Sequence, residues 1–456
     1  MTRQPFLRTP FSRRSALRTG LGLSAGLALA GGSWSARPTR AQQLAPADTS
    51  GTFSYTSFEG EEEMVKWQGY IDDYLGTNYP GVEIQADYGA PWADYWTKLQ
   101  TSIAGGAPPT MAWMHDTRAK PFASLDLIQP LDDFIAQLAP EGWPDKFYPS
   151  QVEAFSYNGK VYGIPYDWAT GGLYVNRDLY AKAGVTAPTE ATTFDQLLEG
   201  ALAIKAASDD PETTYGFNLP TSASGSDWIV RSFGGQGFSG DPVTAHWDDP
   251  NTIAAYQFLY DAVFTHKVMM NPLEITQAGL QPEFVFISGQ IGASYALNDS
   301  AFRMNDAVAG AFDWTVAPTP RGTGGRVQFV GGSAFSIPRG SNLPEIAYEV
   351  ARFAATDSSH LANTALVGSM FVSRSDLWQD SIPGPDSGVD PDAYKHAFYD
   401  LPLQDGKVPL YHPKYQEWET SIFIRITDQL WAGEQTDVTA AMQQLQAETV
   451  ALLARQ

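Results

Sequence analysis

The chain contains no cysteine, which excludes disulfides, thiolate metal ligation, a cysteine nucleophile and a lipid-bearing cysteine anchor. A chain of 456 residues without crosslinks must be held together by its core, and two or three domains are expected at that length. Beyond residue 41 no stretch is apolar enough to supply the roughly 20 residues a spanning helix needs. Basic residues are scarce, with 29 Lys and Arg against 51 Asp and Glu and a net charge of −22. Such a surface repels phosphate backbones and anionic headgroups, so no nucleic-acid partner is expected. The six histidines show no metal-ligand spacing and no Walker motif is present, so no metal and no cofactor are expected; no local motif marks a catalytic carboxylate pair among the many acids, and no catalytic residue is expected.

What the chain does have is concentrated first at its start. Ser12-Arg13-Arg14-Ser15-Ala16-Leu17-Arg18 precedes a glycine-rich apolar stretch from Thr19 to Gly32, and a small residue, Ala41, follows. That order of charge, apolar middle and small-residue exit is an export leader, and the paired arginines resemble a twin-arginine signal. A membrane anchor is the competing reading, but the segment is short for one. Cleavage is expected after Ala41, with Ser35 as the second choice. Residues 1–41 hold seven arginines and no acid, so the remaining chain would carry −29. A periplasmic or comparable extracytoplasmic location, without lipid modification, is expected.

Downstream, strands and helices alternate, which predicts α/β layers. Strands are expected at Thr52–Ser57, at 82–86, at 111–114, through 159–165 after an Asn158-Gly159 turn, at 173–175, at Ile291–Leu297 and over Val327–Pro338. Helices are expected at Glu61–Leu75, Asp94–Ala104 and Asp178–Ala183. A capping box at Thr193–Gln196 opens another, and the chain ends on helices at Gln416–Ala432 and after Asp437. In open α/β sheets ligands bind beyond the carboxyl ends of strands. That rule marks Glu59 after the first strand, His115 and Asp116 after the third, and Tyr295 and Asn298 at the end of a later one.

Asn158-Gly159-Lys160-Val161-Tyr162-Gly163-Ile164-Pro165-Tyr166-Asp167, followed by Leu173-Tyr174-Val175-Asn176-Arg177-Asp178-Leu179, resembles the central segment of extracellular solute-binding proteins of sugar-uptake ABC transporters, the maltodextrin-binding type. Tyr95–Leu99 with Ala104–Pro109, Thr192–Leu197, Phe284–Gly292 and Gly331-Gly332-Ser333 agree with it in order and spacing. The resemblance implies a two-lobed periplasmic-binding-protein fold of type II, with hinge strands and a central ligand cleft. Lobe 1 would comprise 50–163 plus 296–355, and lobe 2 would comprise 166–293 plus 358–456. Hinges would lie near Tyr162–Tyr166, Ala293–Leu297 and Ala354–His360.

The resemblance also implies a site. His115 and Asp116 are similar to the family's aromatic-x-His-Asp segment, in which the acid accepts sugar hydroxyls, although Thr117 stands where maltodextrin members often carry Arg. Tyr166, Asp167 and Trp168 would serve at the hinge, Asp227 and Trp228 from lobe 2, Gly331 and Gly332 as backbone donors, and Phe371 and Trp418 as far walls. Sugars suit these types, since C–H faces lie on aromatic rings and hydroxyls bond strongly to carboxylates. The implied function is a monomeric receptor that binds a mono- or oligosaccharide and delivers it to the membrane permease subunits of an ABC importer. A receptor for a polyamine, peptide or polyol phosphate, and an extracellular glycan-degrading enzyme with a carboxylate pair, stay open as alternatives. Gly22–Gly26 matches a serine-hydrolase elbow only inside the leader, and Gly235–Gly240 matches a dinucleotide fingerprint without a helix after it.

Overall fold

The computed structural model describes residues 43–455 other than 59, 241, 357–370 and 383–387. The leader and Glu59 therefore lie outside the described residues, as does most of the third expected hinge. Two sheets organise the described chain. In the first, Gly81–Asp87, Ser50–Thr56 and Met111–His115 run parallel, and Ser333–Ser336 then Ile164–Pro165 complete it in antiparallel register, with Ser333 opposite His115 and Ala334 opposite Pro165. The second is built around Asp167–Asn176, ten consecutive buried residues, as expected for a strand covered on both faces. Ile291–Leu297, Trp314–Ala317, Gln328–Gly331 and Phe371–Val372 all pair antiparallel with that strand. Tyr215–Asn218 adds in parallel beside Ile291–Leu297, and Gly406–Lys407 beside Gln328–Gly331.

Helices cover these sheets where local chemistry starts and stops them. Thr193 forms the capping box with Gln196 that opens Phe194–Ala207. Asp437 accepts from the Ala440 N–H at the start of Val438–Leu453, and Gly184 ends Arg177–Ala183 at φ 69°, a conformation that costs glycine little. Asn158 (φ 49°) and Gly159 (φ 73°) make the expected tight turn. Each sheet has its own aromatic core: Tyr55, Trp96, Trp113 and Phe335 in the first, and Trp228, Trp247, Tyr256 and Trp418 in the second.

The passages between the sheets differ from the sequence expectation at two places. Ile291–Leu297 does not cross between lobes; it lies inside the second sheet between Asp167–Asn176 and Tyr215–Asn218. Trp314–Ala317 and Gln328–Gly331, expected in lobe 1, are strands of the second sheet as well. The single strand expected over 327–338 is two strands in two sheets, broken at Gly332. The chain thus leaves the first sheet across Tyr166 and returns to it across Gly332. The helix expected over 416–432 is interrupted by a π turn at Glu419–Phe423.

Close packing makes Gly332 necessary. A Cβ there would lie 2.5 Å from Gln151 Oε1 and 2.7 Å from Asp167 Oδ1, both buried. Gly332→Ala is therefore expected to cost about 1–3 kcal/mol in chemical unfolding, as overpacked buried sites do; a variant as stable as the parent would show that the crossing has slack.

Candidate functional site

A cavity of about 510 Å³ lies at the carboxyl ends of Tyr215–Asn218 and Ile291–Leu297. His115, at the carboxyl end of a first-sheet strand, is part of its wall. The remainder comes from the second lobe: Asn218 with the 219–225 loop, Tyr295 to Leu297, Ser300 and Arg303, Phe329, and Thr427, Asp428 and Trp431 from Ile424–Trp431. Arg303 is balanced by Asp299 at 2.6 Å. Partial burial raises the Asp428 carboxyl above the ordinary carboxylate range. Hydroxyls, carboxylates, an amide and aromatic faces thus converge on one hollow, a composition suited to a polar, uncharged or weakly cationic solute.

His115 is held in place from several sides. Its Nδ1 lies 2.9 Å from Asp116 Oδ1 and 2.9 Å from Thr117 Oγ1, and its ring meets Trp92 edge-on at 5.1 Å. Asp116 is fully buried and accepts from the Gly332 N–H at 3.2 Å, while its own N–H donates to the Gly332 carbonyl. Asp167 accepts from the Ser333 N–H. The two carboxylates therefore pin the Gly331–Ser333 crossing, and Gln151 Nε2 holds the Gly331 carbonyl at 2.7 Å. Tyr166 stacks on Phe335 at 4.7 Å and accepts from Trp113 Nε1 at 2.9 Å.

A second polar group stands between the lobes near Asp116. Burial pushes the Tyr411 and Tyr415 phenols well above their usual range; the charges of Asp116, Asp227 and Glu419 push the same way. Neither hydroxyl has a hydrogen-bond partner among the described residues. Burial also raises the Asp227 carboxyl, against the opposing pull of Arg231 at 2.6 Å.

Of the residues singled out in the sequence, His115 and Tyr295 line the cavity. Trp228 stacks behind Tyr295 at 5.2 Å, and Asp116, Asp167, Gly331 and Gly332 form the crossing beside His115. Gly171 is the close-approach position that lets Tyr295 sit there, since a Cβ would lie 1.9 Å from its hydroxyl. Asn298 is buried, accepting from the Thr170 N–H and the Tyr394 hydroxyl, and does not line the cavity. Trp168 and Phe371 belong to a separate buried cluster, Trp168 stacked on Tyr148 at 4.1 Å. Trp418 is also core: its indole donates to Thr449 and its ring lies on Trp247. The sequence reading missed the 219–225 loop and the Thr427–Trp431 wall. The strand-end rule would have found the loop had Tyr215–Asn218 been recognised as a strand; nothing local marks the helix face.

A cleft between two α/β lobes, at strand carboxyl ends and with walls from both, defines a two-lobed binding protein. The chain belongs to the bacterial extracellular solute-binding protein family, whose model matches residues 59–360. It is 26% identical over 259 residues to the maltotriose-binding protein of Pyrococcus abyssi, a match spanning 57% of this chain and 51% of that protein; the match thus spans about half the length of that relative. Among solved structures, the ABC substrate-binding protein of Listeria monocytogenes in complex with cycloalternan aligns with a TM-score of 0.77 at 19% identity, covering 89% of this chain and 99% of that one. The GacH receptor of Streptomyces glaucescens aligns with a TM-score of 0.73 at 19% identity, covering 89% and 99%. The two structures establish the fold.

Proposed function

We propose that this protein is an extracytoplasmic receptor that closes its two lobes on a mono- or oligosaccharide and delivers it to the permease subunits of an ABC importer, without chemistry on the ligand. The observation that carries this reading is the cavity itself, walled by His115 from one lobe and by Tyr295, Asp428 and Trp431 from the other. A family relative bearing the name maltotriose-binding protein supports the sugar class. Residues 43–165 with 333–356 would act as one lobe and 167–331 with 371–455 as the other, and residues 1–41 as a twin-arginine-type leader. A ligand touching both walls favours the closed state through contacts that the open one lacks.

Thermal unfolding of the protein from residue 42 onward, against sugars, polyols, polyamines and short peptides, tests the class. A ligand at about 100 times its Kd adds roughly 2.7 kcal/mol. A shift with one sugar group and no product formed supports the reading. A shift only with polyamines or peptides overturns the sugar, and glycoside turnover overturns the receptor.

Asp116→Ala removes the acceptor of the Gly332 N–H and the carboxylate that lies 2.9 Å from His115 Nδ1. Charge-assisted bonds contribute about 1.5–3 kcal/mol, so sugar affinity is expected to fall roughly 10- to 100-fold by isothermal titration. Unchanged affinity would place the ligand elsewhere.

A further inference from the structure

Arg118, on the helix Asp116–Ser124, is almost wholly buried, and its Nη2 lies 2.6 Å from Glu419 Oε2 across the lobe boundary. Its guanidinium carbon is 5.9 Å and 5.7 Å from the ring centres of Trp92 and Trp96 in the first lobe, and 5.8 Å from that of Tyr415 in the second. Glu419 opens the π turn Glu419–Phe423, a geometry frequent at functional sites. Beside this pair, Gln100 Nε2 donates to Gln416 Oε1 at 3.2 Å. Neither Arg118 nor Glu419 lines the cavity.

We propose that Arg118 and Glu419 form a clasp between the lobes that sets ligand affinity through the population of the closed state, without touching ligand; this rests on the receptor reading above. The cage is half built in each lobe. Opening withdraws Glu419 and Tyr415, leaving Arg118 on Trp92 and Trp96 with water restored to its free donors. With the lobes placed as they are in this structure, Arg118 Nε and Nη1 have no partner among the described residues. Their desolvation offsets part of the ion-pair attraction, so the clasp biases closure and still releases. Apparent affinity scales with the fraction of protein able to close, so a bias made far from the ligand is read out at the ligand.

Glu419→Gln keeps the shape and removes the charge, and Arg118→Met keeps a stem in the aromatic cage. Because the chain has no native cysteine, Asp133→Cys and Glu199→Cys, both exposed and one in each lobe, place two spin labels for interlobe distance measurement. Maltotriose serves as the probe ligand. Each clasp variant is expected to lose about tenfold in affinity and part of its short-distance population, with the double variant losing no more than the weaker single one. Singles that match the parent in both readouts, or a double that loses the product of the two, overturn the clasp. A parent that ignores maltotriose while Glu419→Gln still depletes the short distance supports the clasp and counts against the sugar. A parent that binds maltotriose with both variants unaffected removes the clasp and leaves the receptor.

Discussion

Glu349→Ala is expected to lower stability by about 3–5 kcal/mol, the scale for removing one partner of a buried charged network. The Glu349 carboxylate is fully buried in the first lobe. It accepts from the Leu44 and Ala45 N–H groups, from the Tyr74 hydroxyl at 2.8 Å and from the Tyr79 hydroxyl at 2.8 Å. A carboxylate suits this place because it only accepts, and four donors converge on it. Alanine takes the carboxylate acceptor from the Leu44 and Ala45 N–H groups and the Tyr74 hydroxyl, while the Tyr79 hydroxyl keeps the Ala45 carbonyl at 3.4 Å; each buried donor left unpaired costs about 1–3 kcal/mol before water relieves it. The same contacts tie the 43–45 segment to the lobe, so its proteolysis should quicken. Glu349→Gln, which fills the space but brings donors of its own, should fall between the parent and Ala; Tyr74→Phe should cost only about 1 kcal/mol. Thermal melts followed by circular dichroism decide the matter. An alanine variant within about 1 kcal/mol of the parent would mean that water replaces the carboxylate without loss.

Acid destabilisation centred on His412 is the second large effect. Its ring is buried against Phe238 at 4.7 Å, Tyr415 at 5.9 Å and Trp418 at 6.3 Å, and neither ring nitrogen has a partner among the described residues. Burial, helped by the Lys414 charge, lowers its pKa from 6.5 to about 4. A histidine lowered in the folded state contributes stability that is present above its unfolded value, near 6.5, and is lost as pH falls toward about 4. That gap corresponds to roughly 3 kcal/mol. Urea unfolding between pH 7.5 and 4 should show the loss, and His412→Phe, which gives up no hydrogen bond, should flatten it. Parallel pH profiles for parent and variant would remove His412 as the cause. Because Tyr415 packs on both His412 and Arg118, acid is also expected to loosen the lobe boundary.

Features legible from residues alone share a short range. The Thr193 capping box, the Asp437 cap, the Asn158-Gly159 turn and the placement of His115-Asp116 at a strand's carboxyl end depend on neighbours three or four positions away. Side-chain and backbone groups so close in sequence meet in almost any fold, so these readings needed no tertiary information. The two-lobe class followed from motif order along the chain.

Sheet membership required the folded molecule. An apolar run such as 327–338 can be buried equally well in either sheet, and only the packing at Gly332, against Gln151 and Asp167, splits it between them. The alternation of Ile291–Leu297 likewise suits a hinge or an inner strand, and its burial between two partners chose the latter. The meeting of Arg118 with Glu419, 301 residues apart, and the helix face carrying Thr427 and Trp431 arise from docking one lobe's elements on another's. Local patterning specifies which face of an element is apolar; which partner covers that face is decided by the packing of the whole chain.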